Sequence, residues 1–275
     1  MTALLARLVP TGMALPILRG PLAGARWICG AAAGDGKGLS AVLHRLEAEQ
    51  LEVAAAFTKP DSVCLDIGAN VGLYTLLFAR RGRHVYAFEP LPRNVRFLTK
   101  LVAINRLANV TVLPAAVMSR TCLTSFATGD NNALGKVDPD GAQPVVAVSC
   151  DEFVTELGVA PSVLKIDVEG AELAVFDGAR RTFAEHRPAL LLSVHGAYLR
   201  GQSLVTLERL GYRHILPMNG NDVGTATEYA LVMIDPPAAA ATAARAAWQP
   251  LTAELAASLV VPPAGAAAAA SPTSS

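Results

Sequence analysis

The stretch VCLDIGANVGLY, residues 63–74, decides the fold class of this chain. Its apolar first half predicts a buried strand that ends near Asp66, and Gly68 and Gly72 predict a tight turn that leads into a helix. A second apolar run ends at Glu89, 23 positions after Asp66. A glycine turn with an acidic residue at the end of the following strand is typical of nucleotide pockets, in which the backbone approaches the ligand and the carboxylate binds ribose hydroxyls.

The glycine pattern of this turn differs from the dinucleotide-binding fingerprint. That fingerprint, G-x-G-x-x-G, directs backbone amides at a pyrophosphate, whereas the carboxylate of Asp66 would repel one. The acid favours a ligand with positive charge or many hydroxyls, such as S-adenosylmethionine with its ammonium and sulfonium groups. Three alternatives stay open: a Rossmann-like unit whose glycines serve only packing, a nicotinamide-dependent oxidoreductase with an atypical glycine loop, and a cofactor-binding scaffold without catalysis.

The composition fits one large α/β domain. The chain has 275 residues, a hydrophobic fraction of 52% and a net charge of +0, so no basic field indicates a nucleic-acid partner. The four cysteines form no C-x-x-C pair, which favours a reducing cytoplasm over a disulfide framework or a zinc site. No uninterrupted run of about 18 apolar residues occurs, so we expect no association with a membrane through a spanning helix.

We divide the chain into three parts. Residues 1–60 are predicted to form an N-terminal extension, with a hairpin near 17–28 and an amphipathic helix over 39–57. Residues 61–235 form the Rossmann-like domain, and residues 236–275 form an Ala-, Pro- and Ser-rich tail that is largely disordered. Within the tail, a helix over 239–248 is an alternative, whereas 262–275 should be disordered. The apolar N-terminal segment leaves a homo-oligomer open.

Strands and helices alternate through the central part. Strands are predicted at 62–67, 84–89, 110–113, 163–166 and 190–194, with helices that begin near residues 72 and 92. This alternation predicts an α/β fold with a doubly wound, mostly parallel sheet. Such sheets bind ligands at the carboxyl ends of their strands. Because Asp66, Glu89, Asp167 and His195 all lie at strand ends, we expect them to form one site.

An irregular insert covers residues 121–151. Residues 124–128 and 145–149 are predicted to pair as strands around the polar loop 129–141, which is either a lid or an ordinary exposed turn. After the fifth strand, a helix over 203–210 and strands over 213–216 and 229–234 are predicted to complete the domain.

Three blocks of this sequence resemble the FkbM family of S-adenosylmethionine-dependent methyltransferases. They are LDIGANVGLYT at 65–75, VYAFEP at 85–90 followed by Arg93-Asn94, and LKIDVEGAE at 164–172. Asp151 also resembles the acid that precedes a short helix in that family, and the likeness covers about residues 17–200. Two positions depart from the family pattern: Ser193 stands where an acid is frequent, and Leu46-Glu47 where a Tyr-Glu pair is frequent.

The resemblance implies a Rossmann-like class I methyltransferase fold and transfer of a methyl group to a hydroxyl of a small molecule, either a sugar or glycan or a secondary metabolite. N-methylation is a variant that the sequence does not decide. The cofactor S-adenosylmethionine would become S-adenosylhomocysteine, with Glu89 at the ribose, Asn94 at the adenosine side and Glu47 as a further contact. The cofactor-binding residues assigned in this way are Asp66, Gly68, Ala69, Asn70, Gly72, Tyr74, Glu89, Pro90, Asn94, Ala116 and Asp167.

Methyl transfer to a hydroxyl needs in-line alignment and a group that takes the proton. Asp167 and His195 are the candidate catalytic residues, although a structural, hydrogen-bonded role is the alternative for His195. Repulsion between Asp167, Glu169 and Glu172 would raise the pKa of one of these carboxyls, and an alternative is that the three acids hold Mg²⁺. We expect no bound metal. For Glu172 we favour a role at the N-terminus of the following helix, where its charge interacts with the helix dipole. Lys165 is expected on the opposite side of the strand from Asp167, as an ion-pair partner.

Overall fold

The computed structural model describes residues 9–31, 38–128, 135–138, 140–220 and 222–261. In chain order the strands are β1 (Ala14–Pro16), β2 (Arg26–Ile28), β3 (Val63–Ile67), β4 (His84–Phe88), β5 (Val110–Leu113), β6 (Ala116–Met118), β7 (Cys122–Thr128), β8 (Gly135–Val137), β9 (Gln143–Ser149), β10 (Val163–Ile166), β11 (Ala189–Ser193), β12 (His214–Pro217), β13 (Glu228–Val232) and β14 (Gln249–Pro250). The helices are α1 (Leu39–Val42), α2 (Ala48–Phe57), α3 (Leu73–Arg81), α4 (Pro92–Ile104), α5 (Cys150–Leu157), α6 (Glu172–Asp177), α7 (Arg180–His186), α8 (Ala197–Arg209), α9 (Ala238–Ala244) and α10 (Ala253–Ser258).

An eight-stranded sheet in the order β14-β12-β13-β11-β10-β3-β4-β5 forms the centre of the protein. The five strands from β11 to β5 are parallel, and β13, β12 and β14 add to one edge in antiparallel orientation. The predicted α/β fold with a doubly wound, mostly parallel sheet is therefore confirmed. The order of the parallel strands brings the carboxyl ends of β3, β4, β10 and β11 to the same edge of the sheet.

Two hydrophobic clusters cover the two faces of this sheet, which explains why its central strands are apolar throughout. Side chains alternate between the faces: Cys64 packs on the cluster that contains the N-terminal extension and α3, whereas Leu65 and Ile67 pack on the cluster that contains α6, α7 and α8. In β10, Val163 packs on the first face, and Leu164 and Ile166 pack on the second. Lys165 accordingly lies on the face of the N-terminal extension.

The insert between β5 and β10 forms a second, four-stranded sheet in the order β6-β9-β7-β8. The predicted pairing of its two main strands is confirmed, since β7 runs antiparallel to β9 with Cys122 opposite Ala147 and Phe126 opposite Gln143. The loop predicted at 129–141 lies partly outside the described residues, which omit 129–134 and 139, and β8 occupies part of the remainder.

The N-terminal extension contains the predicted hairpin, in which β1 pairs with β2 and Leu15 lies opposite Trp27. The single helix predicted over 39–57 is wrong. The chain forms two helices, α1 and α2, and the backbone between them turns through left-handed conformations at His44 (φ 51) and Glu47 (φ 47). This break places Glu47 close enough to Tyr74 and Lys165 for them to influence its pKa, a tertiary interaction that local helix preference does not encode.

The segment after β13 has more regular structure than the largely disordered tail that the sequence predicted. Helix α9 packs against α2. The ring of Trp248, which follows α9, meets the ring of Phe57 edge to face, with 6.2 Å between the ring centres. Strand β14 pairs with β12. Alanine side chains on α9 are small enough to be buried against α2, which explains how this low-complexity composition joins the core. Residues 262–275 lie outside the described part of the chain, and the boundaries at 60 and 235 stay a proposal.

Across the described ranges, no helix has both the length and the apolar character that a bilayer span requires.

We predict that Gly68→Ala destabilises the protein far more than Gly158→Ala. Both glycines have positive φ, 81° and 60°, so alanine costs roughly 1–2 kcal/mol of backbone strain at either position. A side chain at Gly68 would also overlap the carbonyl oxygen of Asp167, which adds about 1–3 kcal/mol of overpacking, whereas nothing lies within 4 Å of a side chain at Gly158. Urea unfolding of both variants measures the difference. Equal losses would show that the β3–β10 contact is not tight at this turn.

Candidate active site

The backbone N–H groups of the turn after β3 donate hydrogen bonds to acceptors within the protein. The N–H groups of Gly68 and Ala69 both donate to the carbonyl of Phe88, at 3.0 and 2.9 Å, and the N–H of Gly72 donates to Ala69. The N–H of Asn70 donates to Glu89 Oε2 at 2.8 Å. A pyrophosphate would need these donors, and Asp66 lies directly beneath them. The geometry therefore disfavours the nicotinamide alternative.

Glu89 is buried and held in one orientation by three donors. Its Oε1 accepts from the Leu91 N–H at 2.9 Å and from Asn94 Nδ2 at 3.3 Å, and its Oε2 accepts from Asn70. Burial raises the pKa of this carboxyl, and the hydrogen bonds from Leu91, Asn70 and Asn94 act against that rise. Oε1 thus accepts two hydrogen bonds and Oε2 accepts one, so Oε2 retains a lone pair that can accept a hydrogen bond from a ligand.

A cavity opens in front of this carboxylate, which we name the Glu89 cavity. It brings together five predicted cofactor residues, Gly68, Asn70, Pro90, Asn94 and Ala116, together with Glu89 itself. Its other walls were not predicted: they come from Leu91, Ala115 and Val117, from Phe126 on the insert sheet, and from Val168, Glu169 and Ala171 after β10. A mostly apolar slot with one oriented carboxylate at its end suits the flat base and the ribose of a nucleoside.

A second cavity lies on the other side of Gly68 and is named here the Lys165 cavity. Of the predicted residues it contains Asp66, Gly68, Ala69, Asn70, Tyr74 and Asp167, and the N-terminal extension adds Trp27, Gly38, Ser40, Leu46 and Glu47. The sequence does not reveal that Trp27 reaches this cavity, because the hairpin that carries it has no readable motif. Its indole Nε1 is buried without a hydrogen-bond partner within the described part of the chain.

Gly72 differs from the other predicted cofactor residues, because it is not among those that line either cavity. Its φ is 98°, and a side chain there would collide with Leu98 and Leu101 of α4. The structure therefore places Gly72 in helix packing, beneath the turn. Packing is the alternative role that the sequence left open for the glycines of this turn.

Asp66 forms the floor of the Lys165 cavity and is only 1% exposed. Thr75 Oγ1 donates to Asp66 Oδ2 at 2.5 Å. Burial raises the pKa of Asp66 to about 6, although the Thr75 hydrogen bond and the nearby charge of Lys165 act in the opposite direction. This carboxyl therefore lies in a place where solvent hardly reaches it.

Lys165 is buried among carboxylates, and the expectation that it lies across the strand from Asp167 is wrong. Positions two apart in a strand face the same side, and Lys165 Nζ lies 3.3 Å from Asp167 Oδ2. The same Nζ donates to Ser193 Oγ at 2.6 Å and lies 5.0 Å from the centre of the Tyr74 ring. Lys165 therefore forms the expected ion pair, but it lies on the same side of the strand as Asp167 and not on the opposite side.

The charge of Lys165 is maintained by its neighbours. Burial alone would lower its pKa, but the carboxylates of Asp167, Glu47, Glu228 and Asp66 together raise it. Glu228 was not predicted as a site residue. It lies opposite Ser193 on the antiparallel strand β13, and Gln50 Nε2 donates to its Oε2 at 2.5 Å. A carboxylate therefore stands beside the position where the family pattern has an acid and this chain has a serine.

A third cavity, the His195 cavity, lies beyond Asp167. It is lined by Asp167, Glu169, Ser193, Val194, His195, Gly196, Thr227 and Glu228, and it brings the two predicted catalytic residues together. It shares Asp167 with the Lys165 cavity and Glu169 with the Glu89 cavity. The three cavities therefore meet around the loop that follows β10.

His195 is oriented by a buried acid. Glu172 is fully buried, and its Oε1 accepts from His195 Nδ1 at 3.1 Å and from the Gly170 N–H at 3.1 Å. The other ring nitrogen, Nε2, lies 3.2 Å from Glu169 Oε2 and 3.7 Å from Asp167 Oδ1. The hydrogen bond from Glu172 raises the pKa of His195 most, against the opposing effect of burial, and Glu169 and Asp167 raise it further. The predicted helix N-terminal role of Glu172 extends to holding this imidazole.

Comparisons with known proteins agree with the family resemblance. A family model described as the methyltransferase FkbM domain matches residues 66–214, more than half of the chain. Among curated proteins, the hexuronic acid methyltransferase AglP of Haloferax volcanii is 29% identical over 144 residues, which cover 49% of this chain and 56% of that protein.

Solved structures give a weaker likeness. The FkbM methyltransferase of Methylobacillus flagellatus KT has 20% identity and a TM-score of 0.47, over 74% of this chain and 56% of that chain. The precorrin-6y C5,15-methyltransferase of Geobacter metallireducens GS-15 has 15% identity and a TM-score of 0.43, over 68% of this chain and 87% of that chain. This chain thus spans little more than half the length of the curated relative and of the Methylobacillus protein.

We predict that His195 titrates above the ordinary histidine value of 6.5, and that Glu172→Gln lowers its pKa. The substitution keeps the shape of the side chain and removes the negative charge that stabilises the imidazolium. The imidazole resonances of His195, followed by NMR against pH without added metal, measure both values. The exposed Glu156→Gln on α5 is the control and should leave the titration unchanged. An unaltered midpoint in Glu172→Gln would contradict the hydrogen bond between Glu172 and His195.

Proposed function

This chain belongs to the FkbM methyltransferase family, and from that premise we propose that it transfers the methyl group of S-adenosylmethionine to a hydroxyl group of a sugar or another small molecule. One observation carries the proposal: a nucleoside-type cavity, an acidic cavity and a third cavity adjoin one another. The first two share Gly68, the second and third share Asp167, and the first and third share Glu169. A cofactor with a nucleoside end, a cationic end and a reactive centre between them fits this arrangement.

The residues around the first two cavities fit S-adenosylmethionine by their chemistry. Glu89 is oriented to accept hydrogen bonds from ribose hydroxyls, and Asn94 holds that orientation. On the other side, Asp66, Glu47 and Asp167 surround the single ammonium of Lys165, which leaves negative charge to attract the cofactor's cationic groups. When bound, the cofactor supplies an electrophilic methyl group on a positively charged sulfur.

The third cavity is our candidate site for the acceptor. The carboxylates of Asp167, Glu169 and Glu228 line it, and they accept hydrogen bonds from hydroxyl groups. Asp167 stands where this cavity meets the Lys165 cavity, and the ring of His195 lies beside it, so we assign activation of the acceptor hydroxyl to these two residues. Alignment of the reacting atoms contributes up to about 7–11 kcal/mol in favourable cases, and removal of the proton contributes about 10²- to 10⁴-fold.

A sugar is the acceptor class that we favour. The Haloferax volcanii protein is named a hexuronic acid methyltransferase, and its likeness to this chain supports an acceptor of the same chemical class. The carboxylate-lined cavity supports a polyhydroxylated molecule independently of that name, because each sugar hydroxyl donates a hydrogen bond.

We predict that Glu89→Gln weakens binding of S-adenosylhomocysteine by about 10- to 100-fold, as expected for hydrogen bonds to a charged group worth about 1.5–3 kcal/mol. Isothermal titration calorimetry on the purified protein measures the dissociation constants. Glu156→Gln, which removes an exposed acid elsewhere, should bind like wild type. Equal affinity in Glu89→Gln would remove the ribose assignment, and no heat with either S-adenosylmethionine or S-adenosylhomocysteine would overturn the proposed function.

We predict that the wild-type protein transfers a labelled methyl group from S-adenosylmethionine to at least one member of a panel of hexuronic acids, neutral sugars and hydroxylated polyketides. Asp167→Asn and His195→Ala should lower kcat by about 10²- to 10⁴-fold. Mass spectrometry of the product identifies the methylated oxygen. Full activity in both variants would remove the catalytic assignment and leave the cofactor assignment intact.

A further inference from the structure

The side chains of Asp167, Glu169 and His195 form a compact cluster from two different parts of the chain. One ligand-type atom from each residue lies within 4.8 Å of the others, with His195 Nε2 at 3.2 Å from Glu169 Oε2 and 3.7 Å from Asp167 Oδ1. Asp167 and Glu169 follow β10, and His195 follows β11, so the pairing of these two strands brings the three groups together.

One of these two separations lies within the range for neighbouring ligands of a metal ion, and the other is slightly longer. Imidazole nitrogen and carboxylate oxygen bind divalent cations such as Zn²⁺ at about 2.0–2.2 Å, which separates adjacent ligand atoms by about 2.9–3.5 Å for angles between octahedral and tetrahedral. The longer of the two measured distances requires only a small side-chain rotation to reach that range. One imidazole and two carboxylates form a mixed nitrogen and oxygen set, which suits a first-row divalent cation such as Mn²⁺.

The groups behind the cluster leave these three atoms available. Nδ1 of His195 is engaged by the buried Glu172, so Nε2 is the nitrogen that faces Asp167 and Glu169. The Oδ2 of Asp167 is paired with Lys165, which leaves Oδ1 toward His195. A buried acid on the far nitrogen of an imidazole is the usual outer partner of metal-binding histidines, because it sets the tautomer and the ring orientation.

Uncompensated negative charge is the independent observation that indicates a cationic ligand. Within the described residues, Glu172 Oε2 is a buried carboxylate oxygen without a hydrogen-bond partner. The charge of Glu169 is repelled by the charges of Asp167 and Glu172, while the ammonium of Lys165 is shared with Glu47, Asp66 and Glu228 as well. The ammonium of Lys165 and the imidazolium of His195 carry two positive charges against these six acids, and a divalent cation in place of the proton on His195 Nε2 would offset more of that excess.

We propose that Asp167 Oδ1, Glu169 Oε2 and His195 Nε2 bind a divalent metal ion, with Glu172 as the positioning residue behind His195. The remaining coordination positions face the cavity lined by Ser193, Thr227 and Glu228. In that cavity the ion binds the oxygen of the acceptor hydroxyl. This role of the ion rests on the proposed function, whereas the binding of the ion to the three residues does not.

The ion's role in methyl transfer is to make the bound hydroxyl more acidic. The O–H bond breaks, its proton passes to water, and the oxygen lone pair forms the new bond to the methyl carbon as the carbon–sulfur bond breaks. Water reaches the cluster, because the side chains of His195 and Asp167 are 37% and 36% exposed. In this step Asp167 and His195 are metal ligands that position the acceptor oxygen. The electron pair of the broken carbon–sulfur bond stays on sulfur, and S-adenosylhomocysteine is the product.

The binding test uses the full-length protein, stripped with EDTA, exchanged into buffer without chelator and titrated with Mn²⁺. We expect one site per chain, weaker by at least about 10-fold in Glu169→Gln and by about 10- to 100-fold in Glu172→Gln. Glu156→Gln is the matched control and should bind Mn²⁺ like wild type. Circular dichroism melting identifies variants that fail to fold, and Glu169, at 26% side-chain exposure, offers a substitution that leaves the buried core untouched.

A spectroscopic readout separates ligation from a purely structural role. In wild type, electron spin-echo spectra of bound Mn²⁺ should show coupling to an imidazole nitrogen, and the coupling should disappear in His195→Gln. Absence of Mn²⁺ binding at millimolar concentration, unchanged affinity in Glu169→Gln, or nitrogen coupling that persists in His195→Gln would each overturn the site.

Methyl-transfer assays then distinguish the two proposals. Transfer that is lost after EDTA treatment and restored by Mn²⁺ or Mg²⁺ supports the role of the ion. Full transfer in the stripped protein overturns that role and leaves the proposed function in place. Mn²⁺ binding in a protein that binds neither S-adenosylmethionine nor S-adenosylhomocysteine supports the metal site and overturns the proposed function.

Discussion

The buried ammonium of Lys165 is the interaction on which the acidic centre of this protein depends. Burial of Lys165, which is 2% exposed, would be costly without partners, and the four carboxylates that raise its pKa would repel each other without it. The pairing of Lys165 with these acids lowers both the cost of burying the ammonium and the repulsion between the carboxylates. Lys165 contacts Asp167 and Ser193 directly and lies close to Glu47, Asp66 and Glu228. It also links the sheet to the N-terminal extension, since Asp66, Ser193 and Glu228 belong to three strands of the sheet, Asp167 follows β10, and Glu47 belongs to the extension.

The N-terminal extension completes the site and does more than cover the sheet. Its hairpin brings Trp27 to the Lys165 cavity, and the break between α1 and α2 directs Glu47 toward Tyr74 and Lys165. The interaction of Glu47 with Tyr74 and Lys165 is tertiary, and local helix preference does not encode it.

The proposed acceptor side is built in a different way from the proposed cofactor side. Around Glu89, backbone amides and Asn94 hold one carboxylate in a fixed orientation, so recognition there relies on hydrogen bonds that already exist. Around His195, three acids surround one imidazole and only Glu172 is fully buried. The first arrangement suits a constant part of a ligand, and the second suits a cation and an exchanging oxygen.

The sequence by itself determined the alternation of strands and helices, the doubly wound sheet and the acids at the strand ends, because apolar periodicity and glycine turns are local properties of the chain. It also indicated Glu89 with Asn94 and Pro90, which are close in sequence as well as in space. Only the tertiary structure decided that Lys165 contacts Ser193, that Glu228 stands beside Ser193, that Phe126 lines the Glu89 cavity and that Glu172 holds His195. Those pairs depend on how strands lie beside each other and on which face the extension packs, and such contacts between distant residues leave no mark in the spacing of either partner.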